Sequence, residues 1–272
     1  MIFVRDKGRM CNNILQYAHV YAWGREHGRS TMSMRFAYKY QYFRICHTAW
    51  HNFFAYVMAK TLAKLHLLPV ITFEPDDCNA AELEQQMLRH RNAIVEGWHV
   101  RFYDLFLKYK QDILHLFAFD DGIEAAVRRT MTAACPQPTV TLGLHIRRGD
   151  YARFYGGRYF YSDEQYASLV EQFAALFPGK LLTVFVCGND PNLDRDYYQK
   201  RLPGVRFCFP DGNPAEDLCL LSQCDWLIGA PSTFTLVAAM YHDRPLYWVE
   251  DAKTPVTLDL FDHFDHLFRH IR

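Results

Sequence analysis

The sequence has no surplus of either charge, since 30 Lys and Arg stand against 30 Asp and Glu. A duplex-DNA binder or a polybasic membrane-surface protein needs excess positive charge to hold phosphates, and the balance argues against both. No apolar run is long enough to span a bilayer. One long stretch free of formal charge, Trp226 to Tyr241, carries Pro231, Ser232 and Thr233 and falls short of the roughly 18 to 20 apolar residues required. The opening Met1-Ile2-Phe3-Val4-Arg5-Asp6 lacks a cationic segment followed by a long apolar core, so it does not read as an export signal. The 8 cysteines are scattered without a Cys-x-x-Cys pair or a Cys/His cluster, which leaves them as reduced thiols rather than zinc ligands. There is no internal repeat, and no Gly-x-x-x-x-Gly-Lys-Ser/Thr loop of the kind that cradles ATP or GTP in P-loop enzymes.

What is present is a core-forming composition: of the 272 residues 50% are apolar, and the aromatics include 17 Tyr. That is a folded, globular chain, long enough for two domains. Short apolar runs alternate with helical periods. Strands are predicted at Ile2–Val4, Val70–Phe73, Ile94–Trp98, Val140–Ile146, Leu181–Cys187, Trp226–Ala230 and Pro245–Val249. Helices are predicted from about Asn12 to His27, through the apolar stretch Cys46 to Leu68, and in further segments to about Ala134. Others follow the capping signals Ser162-Asp163-Glu164-Gln165, Asn213-Pro214-Ala215-Glu216 and Pro231-Ser232. Strands alternating with helices make parallel sheets covered on both faces, hence an α/β protein of two halves with a cleft between them. Pro136 and Pro138 punctuate the chain, so the domains are placed at residues 1–136 and 137–272. At the C-terminus, Leu258, Phe261, Phe264, Leu267 and Ile271 keep helical spacing, a face suited to packing back onto the protein.

The sharpest chemical feature is His145-Ile146-Arg147-Arg148-Gly149-Asp150-Tyr151, at the end of the Val140–Ile146 strand. Alternation puts His145 and Arg147 on one face, and ligands of open α/β sheets bind at strand C-termini. Two adjacent guanidiniums there offer forked donors to a diphosphate, although an Arg pair salt-bridged to Asp150 is the plainer use. A second anion site is predicted at Gly229-Ala230-Pro231-Ser232-Thr233-Phe234, where a strand turns into a helix N-terminus. Ser232 also suits an ordinary N-cap. Asp217 sits in a first helical turn, where it either complements the helix dipole or accepts the ring N–H and amino donors of guanine. In the N-terminal loop, Gly8 allows close backbone approach and Asn12 suits a helix cap.

Taken together, these segments resemble the fucosyltransferases that use GDP-fucose. His145 to Tyr151 is similar to the His-x-Arg-Arg-x-Asp motif shared by the alpha-1,2-, alpha-1,6- and protein O-fucosyltransferases. Gly8 to Ala18 resembles the Gly-Gly-Leu-Gly-Asn-Gln-x-Phe-Gln-Tyr-Ala opening of the alpha-1,2 family, and Phe185 to Asp190 resembles its Phe-x-Ser-Asp-Asp strand end. Glu216-Asp217-Leu218 through Asp225 to Ser232-Thr233-Phe234 resembles its Glu-Asp-Leu…Asn-Ser-Ser-Phe-Ser segment. The blocks come in family order. Cys11 stands where the family has Gly, Pro231-Ser232-Thr233 replaces Asn-Ser-Ser, and acceptor-side motifs have drifted more than donor-side ones.

The resemblance implies a GT-B fold, two Rossmann-like domains with an interdomain cleft, and inverting transfer of fucose to a glycan hydroxyl, alpha-1,2 to galactose in this family. It implies no cofactor and no metal, with Arg147, Arg148 and the Ser232 helix end stabilising the leaving diphosphate. By the same likeness His145, Asp217, Ser232, Thr233 and Phe234 hold GDP-fucose, with Asn12 and Gly8 beside the phosphates or fucose, and Asp150 anchors the Arg pair. An inverting reaction wants a general base, and Asp6 and Glu96, at predicted strand ends, are the two candidates. The expected partners are GDP-fucose and an oligosaccharide or lipid-linked acceptor, with no nucleic acid, in a bacterial cytoplasm or at the inner membrane's surface. Two other functions fit the same residues: a related transferase using another nucleotide sugar, and a non-catalytic protein that binds nucleotide sugar or glycan.

Overall fold

The structure, a computed structural model, describes residues 1–74, 80–188 and 190–271. Cys78, and Asn189 within the Phe185 to Asp190 segment, lie outside the described residues. The chain divides into two compact units, Met1–Asp120 and Asp121–Arg272.

The N-terminal unit runs β1 (Ile2–Arg5), α1 (Met10–Glu26), β2 (Thr31–Ser33), α2 (Phe53–Lys64), β3 (Val70–Thr72), α3 (Ala80–Arg89), β4 (Ala93–Glu96), α4 (Tyr103–Lys108) and α5 (Lys110–Leu116). Its four strands are all parallel, in the order β2-β1-β4-β3. Ile2, Phe3 and Val4 are buried in succession, as expected of a strand covered on both faces. The helix predicted from Asn12 begins earlier, at Met10, with Arg9 at the cap position and no side-chain cap bond. Gln16 does the work instead. Its Oε1 accepts from the Lys7 amide at 3.2 Å and its Nε2 donates to the Lys7 carbonyl at 2.7 Å, clamping the loop from inside the helix. The long helix expected over Cys46 to Leu68 is also corrected. A single 3-10 turn, Arg44–His47, is followed by α2, because Asn52 caps a fresh helix by accepting from the Ala55 amide at 3.0 Å.

The C-terminal unit runs α6 (Asp121–Ala134), β5 (Val140–Ile146), α7 (Asp163–Ala175), β6 (Leu182–Gly188), α8 (Arg195–Arg201), β7 (Arg206–Cys208), α9 (Pro214–Gln223), β8 (Trp226–Gly229), α10 (Thr233–His242), β9 (Leu246–Trp248) and α11 (Phe264–Leu267). Its five strands are parallel in the order β7-β6-β5-β8-β9, so the winding reverses between β5 and β8. That is the doubly wound order, and ligands of such sheets bind outside the strand C-termini at the reversal. Leu142, Leu144 and Ile146 of β5 enter one core with Tyr166, Val170 and Phe173 of α7. On the opposite face Gly143 leaves room for α9 and β8: a Cβ there would meet Leu227 at 2.7 Å and Leu221 at 2.8 Å. Thr141 bonds Asp225 in both directions, its hydroxyl to the carboxylate and the Asp225 amide to its hydroxyl, each at 2.8 Å, which fixes β5 against the entry to β8.

The division falls ahead of α6 rather than at the Pro136–Pro138 boundary read from the sequence, because α6 packs on α9 and buries Ile123 and Val127 there. The helical face expected over Leu258 to Ile271 is broken into 3-10 turns around the short α11, with Phe264 and Phe268 buried as its anchors. The result is α/β with two Rossmann-like units, the fold class expected of GT-B enzymes.

Candidate active site

In the C-terminal unit, β5 delivers His145 and Arg147 on one face and hands Arg148 to the other. His145 is buried with its ring stacked on Phe234 of α10, centroids 4.8 Å apart and planes inclined by 16°. Burial, and then the neighbouring Arg147, push its pKa down to about 3, so the imidazole is neutral at physiological pH. Its Nδ1 has no hydrogen-bond partner among the described residues. Arg147 pairs with Asp150 at 3.0 Å and lies over the Tyr151 ring at 5.2 Å, yet its buried Nε is also without a partner among the described residues. Buried polar atoms are normally satisfied, so two unmet nitrogens on alternate residues of one strand end, both on the same face, mark where a polar ligand would complete the site.

Arg148 is different, and the expectation that it faces the leaving phosphate is corrected. Its Nε donates to the Tyr161 carbonyl at 3.1 Å, its Nη1 to Asp190 at 2.8 Å and its Nη2 to Asp163 at 2.7 Å. Strand alternation turns it inward, where two carboxylates neutralise it. Tyr198 donates to the same Asp163 oxygen at 2.7 Å. Asp150 pairs with Arg147 at 3.0 Å. In the sequence Asp163 stood only within the capping signal Ser162-Asp163-Glu164-Gln165, and nothing in the spacing showed that three segments would converge on one guanidinium.

The turn from β8 into α10 forms the second wall. Ser232 caps the helix, accepting from the Thr235 amide at 3.3 Å, and the Thr235 hydroxyl in turn accepts from Trp248 Nε1 at 3.0 Å. Tyr151 donates to the Pro231 carbonyl at 2.6 Å and ties the loop after β5 to this turn. Thr233 and Phe234 thus start a ten-residue helix whose N-terminus sits beside the strand carrying His145. Asp217, in the first turn of α9, bonds the thiol of Cys187, which stands opposite His145 in the β5–β6 register. Burial pushes the Asp217 carboxyl up to about 7 and the Cys187 thiol well above its ordinary value, so the thiol stays protonated as a donor. A depression of about 350 Å³ lined by Thr139, Leu182, Gln199 and Arg206 contains none of these residues.

In the N-terminal unit, Asp6 follows β1 and is buried. The Ser33 hydroxyl and the Arg35 amide, the latter at 3.3 Å, donate to its Oδ2, while Oδ1 has no partner among the described residues. The Ser33 amide donates to His51 Nε2 at 3.0 Å, and His51 Nδ1 meets the Thr48 hydroxyl at 2.7 Å, so the Ser33 donor is itself held in place. Burial raises the Asp6 pKa to about 7. Glu96, the other base candidate, is paired with Arg5 at 2.9 Å across the β1–β4 register. Its carboxylate oxygen Oε2 is therefore already engaged by a guanidinium. Gly8 takes φ +91°, and a Cβ on it would lie 2.5 Å from Asn12 Nδ2, so only glycine lets the loop close over that amide. Asn12 stands inside the first turn of α1, where its carbonyl accepts from Gln16 at 3.0 Å, and not at the cap.

Residues 1–245 match glycosyl transferase family 11. Among curated proteins the chain is 24% identical over 257 residues to the galactoside 2-alpha-L-fucosyltransferase Sec1 of Mus musculus, covering 88% of this chain and 64% of the relative. It is 24% identical over 249 residues to the galactoside alpha-(1,2)-fucosyltransferase 2 of Gorilla gorilla gorilla, covering 85% and 66%. The chain therefore spans about two thirds of the length of these relatives. Among solved structures it resembles a mutant of Arabidopsis thaliana FUT1 in complex with GDP, with a TM-score of 0.63 at 14% identity over 96% of this chain and 73% of that one. It also resembles POFUT1 in complex with GDP-fucose, with a TM-score of 0.62 at 12% identity over 89% and 94%. Likeness at that identity speaks for the fold. With the match running from the first residue through β8 and α10, the chain belongs to glycosyl transferase family 11.

Proposed function

We propose that the protein transfers fucose from GDP-fucose to a glycan hydroxyl, alpha-1,2 to galactose, with inversion and without a metal ion. The observation that carries this reading is the end of β5, where Arg147 keeps a buried Nε with no partner among the described residues, beside a neutral His145 at the reversal of a doubly wound sheet. The choice of substrates is supported by the relatives, which are galactoside alpha-1,2-fucosyltransferases, and by neighbouring structures that hold GDP or GDP-fucose.

In this reading the Arg147 guanidinium and the N-terminus of α10 face the diphosphate. Both gain interaction energy as the bond from fucose C1 to the β-phosphate oxygen lengthens and negative charge collects on that oxygen. Arg147 thereby supplies the charge that a metal would otherwise bring. Asp217, as carboxylate, accepts the ring N–H and amino donors of guanine. The acceptor oxygen attacks C1 from the side opposite the leaving group, which inverts the centre, and its proton goes to a base. Asp6 serves better than Glu96, because its pKa near 7 matches the working pH and its Oδ1 is unspent.

Calorimetric titration with GDP, GDP-fucose, UDP and ADP, in the presence of a chelator, tests the reading. GDP binds selectively and Arg147→Ala abolishes that binding if it is right. Equal binding of all the diphosphates, or none, sinks the donor assignment. Release of GDP from GDP-fucose that appears only when metal is restored sinks the metal-free mechanism.

A further inference from the structure

Helix α2 is assembled with its small residues inward and its large apolar ones outward. Ala55 and Ala59, one turn apart, are buried against Phe3, Met32 and Ile94. Phe53, Phe54, Val57 and Met58 point to solvent, Phe54 being 85% and Phe53 61% exposed. Trp50 just ahead of the helix, and Leu65 and Leu67 just after it, are exposed as well. A helix that serves only the core turns its large side chains the other way, since each buried Phe or Leu contributes roughly 1.5 to 3 kcal/mol.

The charge around this face is one-sided. From His27 to Phe73 the sequence contains no Asp or Glu, while Arg29, Arg35, Lys39, Arg44, Lys60 and Lys64 all fall within it. The zero net charge of the chain averages over this segregation and conceals it. Lys60 and Lys64 are exposed on α2 itself, and Lys60 arches over the Tyr56 ring with its ammonium 5.7 Å from the centroid. Acidic groups from elsewhere do meet the segment, Asp6 at Ser33 and Arg35, Glu84 at His27, Glu96 at Thr72 and Asp120 at His47, but none of the residues they meet is on α2. No helix among the described residues is long and apolar enough to cross a membrane.

We propose that α2 is a docking surface for the face of an anionic lipid bilayer, with Phe53, Phe54, Val57 and Met58 entering the headgroup–acyl boundary and Lys60 and Lys64 held at the phosphate level. An apolar stripe edged by lysines is the pattern of helices that lie in the interface plane. The aliphatic stems of the lysines cover apolar surface while their ammonium groups stay among the headgroups. A neutral protein partner would match the apolar stripe but leave the exposed Lys60 and Lys64 at its edge without a counterpart. The proposal stands independently of the sugar donor, because none of these residues belongs to the strand-end site.

The test is co-sedimentation of the whole chain with vesicles of phosphatidylcholine alone and of phosphatidylcholine mixed with phosphatidylglycerol, at low and high salt. The protein partitions onto the phosphatidylglycerol vesicles, and less so as salt screens the lysines. Lys60→Gln with Lys64→Gln weakens that partitioning roughly 30-fold, and Phe53→Ser with Phe54→Ser abolishes it. Circular dichroism and GDP titration of each variant, unchanged from the parent, establish that the fold is intact. Failure of the parent to sediment with phosphatidylglycerol vesicles overturns the proposal, as does equal partitioning onto phosphatidylcholine alone. Sedimentation velocity supplies a third overturning result: a dimer that Phe53→Ser with Phe54→Ser converts to monomer, without vesicle binding, assigns the face to a second copy.

Discussion

Both units place buried polar chemistry after the first strand of a parallel sheet, next to a strand recruited later in the chain: β1 beside β4, and β5 beside β8. What they bury there differs in sign. The N-terminal unit ends β1 in a carboxylate, Asp6, whose proton is held to about pH 7, whereas the C-terminal unit ends β5 in a guanidinium and a neutral imidazole. One topology thus ends in a buried carboxylate in one unit and in a guanidinium beside a neutral imidazole in the other. Winding order fixes where a site can be, and the residue after the strand decides what it can do.

The same contrast exists between neighbours in one motif, and breaking it there gives the largest effect. Arg148→Met leaves Asp163 and Asp190 as half-buried carboxylates without their cation, and should cost about 3 to 5 kcal/mol of stability in a urea titration. Arg147→Ala should leave stability nearly unchanged and lower turnover about a hundred- to thousand-fold, or about 2.7 to 4 kcal/mol of transition-state stabilisation. An Arg148→Met protein that folds normally but turns over no substrate would reverse the two roles.

Asp6→Asn sharpens the contrast from the other unit. The raised pKa means that the folded protein keeps a proton which the unfolded chain, with an ordinary value of 3.8, has already lost. This group's contribution to stability is therefore whole below about pH 4, declines as pH climbs to about 7 and is constant beyond. Asp6→Asn removes that decline and should unfold at higher temperature than the parent above pH 7, while turning over about a hundred-fold slower. At saturating GDP-fucose the parent's rate should rise through pH 7 and level off, and this limb should vanish in the variant. Melting curves and pH–rate profiles read the two effects separately, and a limb that persists in Asp6→Asn moves the base elsewhere.

The C-terminal site was the more legible of the two in the sequence, for a physical reason. Strict alternation from Val140 to Ile146 reports which way each side chain points, and Ser232 after Pro231 announces a helix start. His145, Arg147, Phe234 and Ser232 could be gathered from local rules alone. Arg148 misled because the same alternation turns it to the other face, where its partners come from α7 and from the segment after β6. Asp6 and Glu96 could not be separated by sequence, since each ends a strand. Only the packing shows Arg5 spent on Glu96 and Ser33 aimed at Asp6. The strands β2 and β7 were missed, and so was α8, whose polar sequence Arg-Asp-Tyr-Tyr-Gln-Lys-Arg shows no apolar stripe.

Asp217 tests whether the base of the nucleotide is read as supposed. Its carboxyl, raised to about 7, must lose its proton to accept two donors from guanine, so GDP affinity should strengthen as pH passes 7. In Asp217→Asn affinity should drop about ten- to a hundred-fold and lose its pH dependence, because the amide presents one acceptor and one mismatched donor. Calorimetry across pH checks both, and an unchanged preference for GDP over ADP would place guanine elsewhere.

The smallest effect expected is that of Phe234→Ala, and it separates two causes that act together at His145. The stacked ring contributes to the burial that keeps the imidazole neutral, and such contacts are worth about 0.5 to 1.5 kcal/mol beyond the area they cover. Without it water reaches the ring, and the His145 pKa rises from about 3 toward the ordinary 6.5, held below that by Arg147. GDP affinity at pH 8 should fall only several-fold, since the imidazole is neutral there in both proteins. An NMR titration of the His145 ring reads the pKa directly. A value still near 3 in Phe234→Ala would assign the neutrality to the β5–β8 backbone and to Arg147, and the aromatic stack would then be packing rather than part of the site's electrostatics.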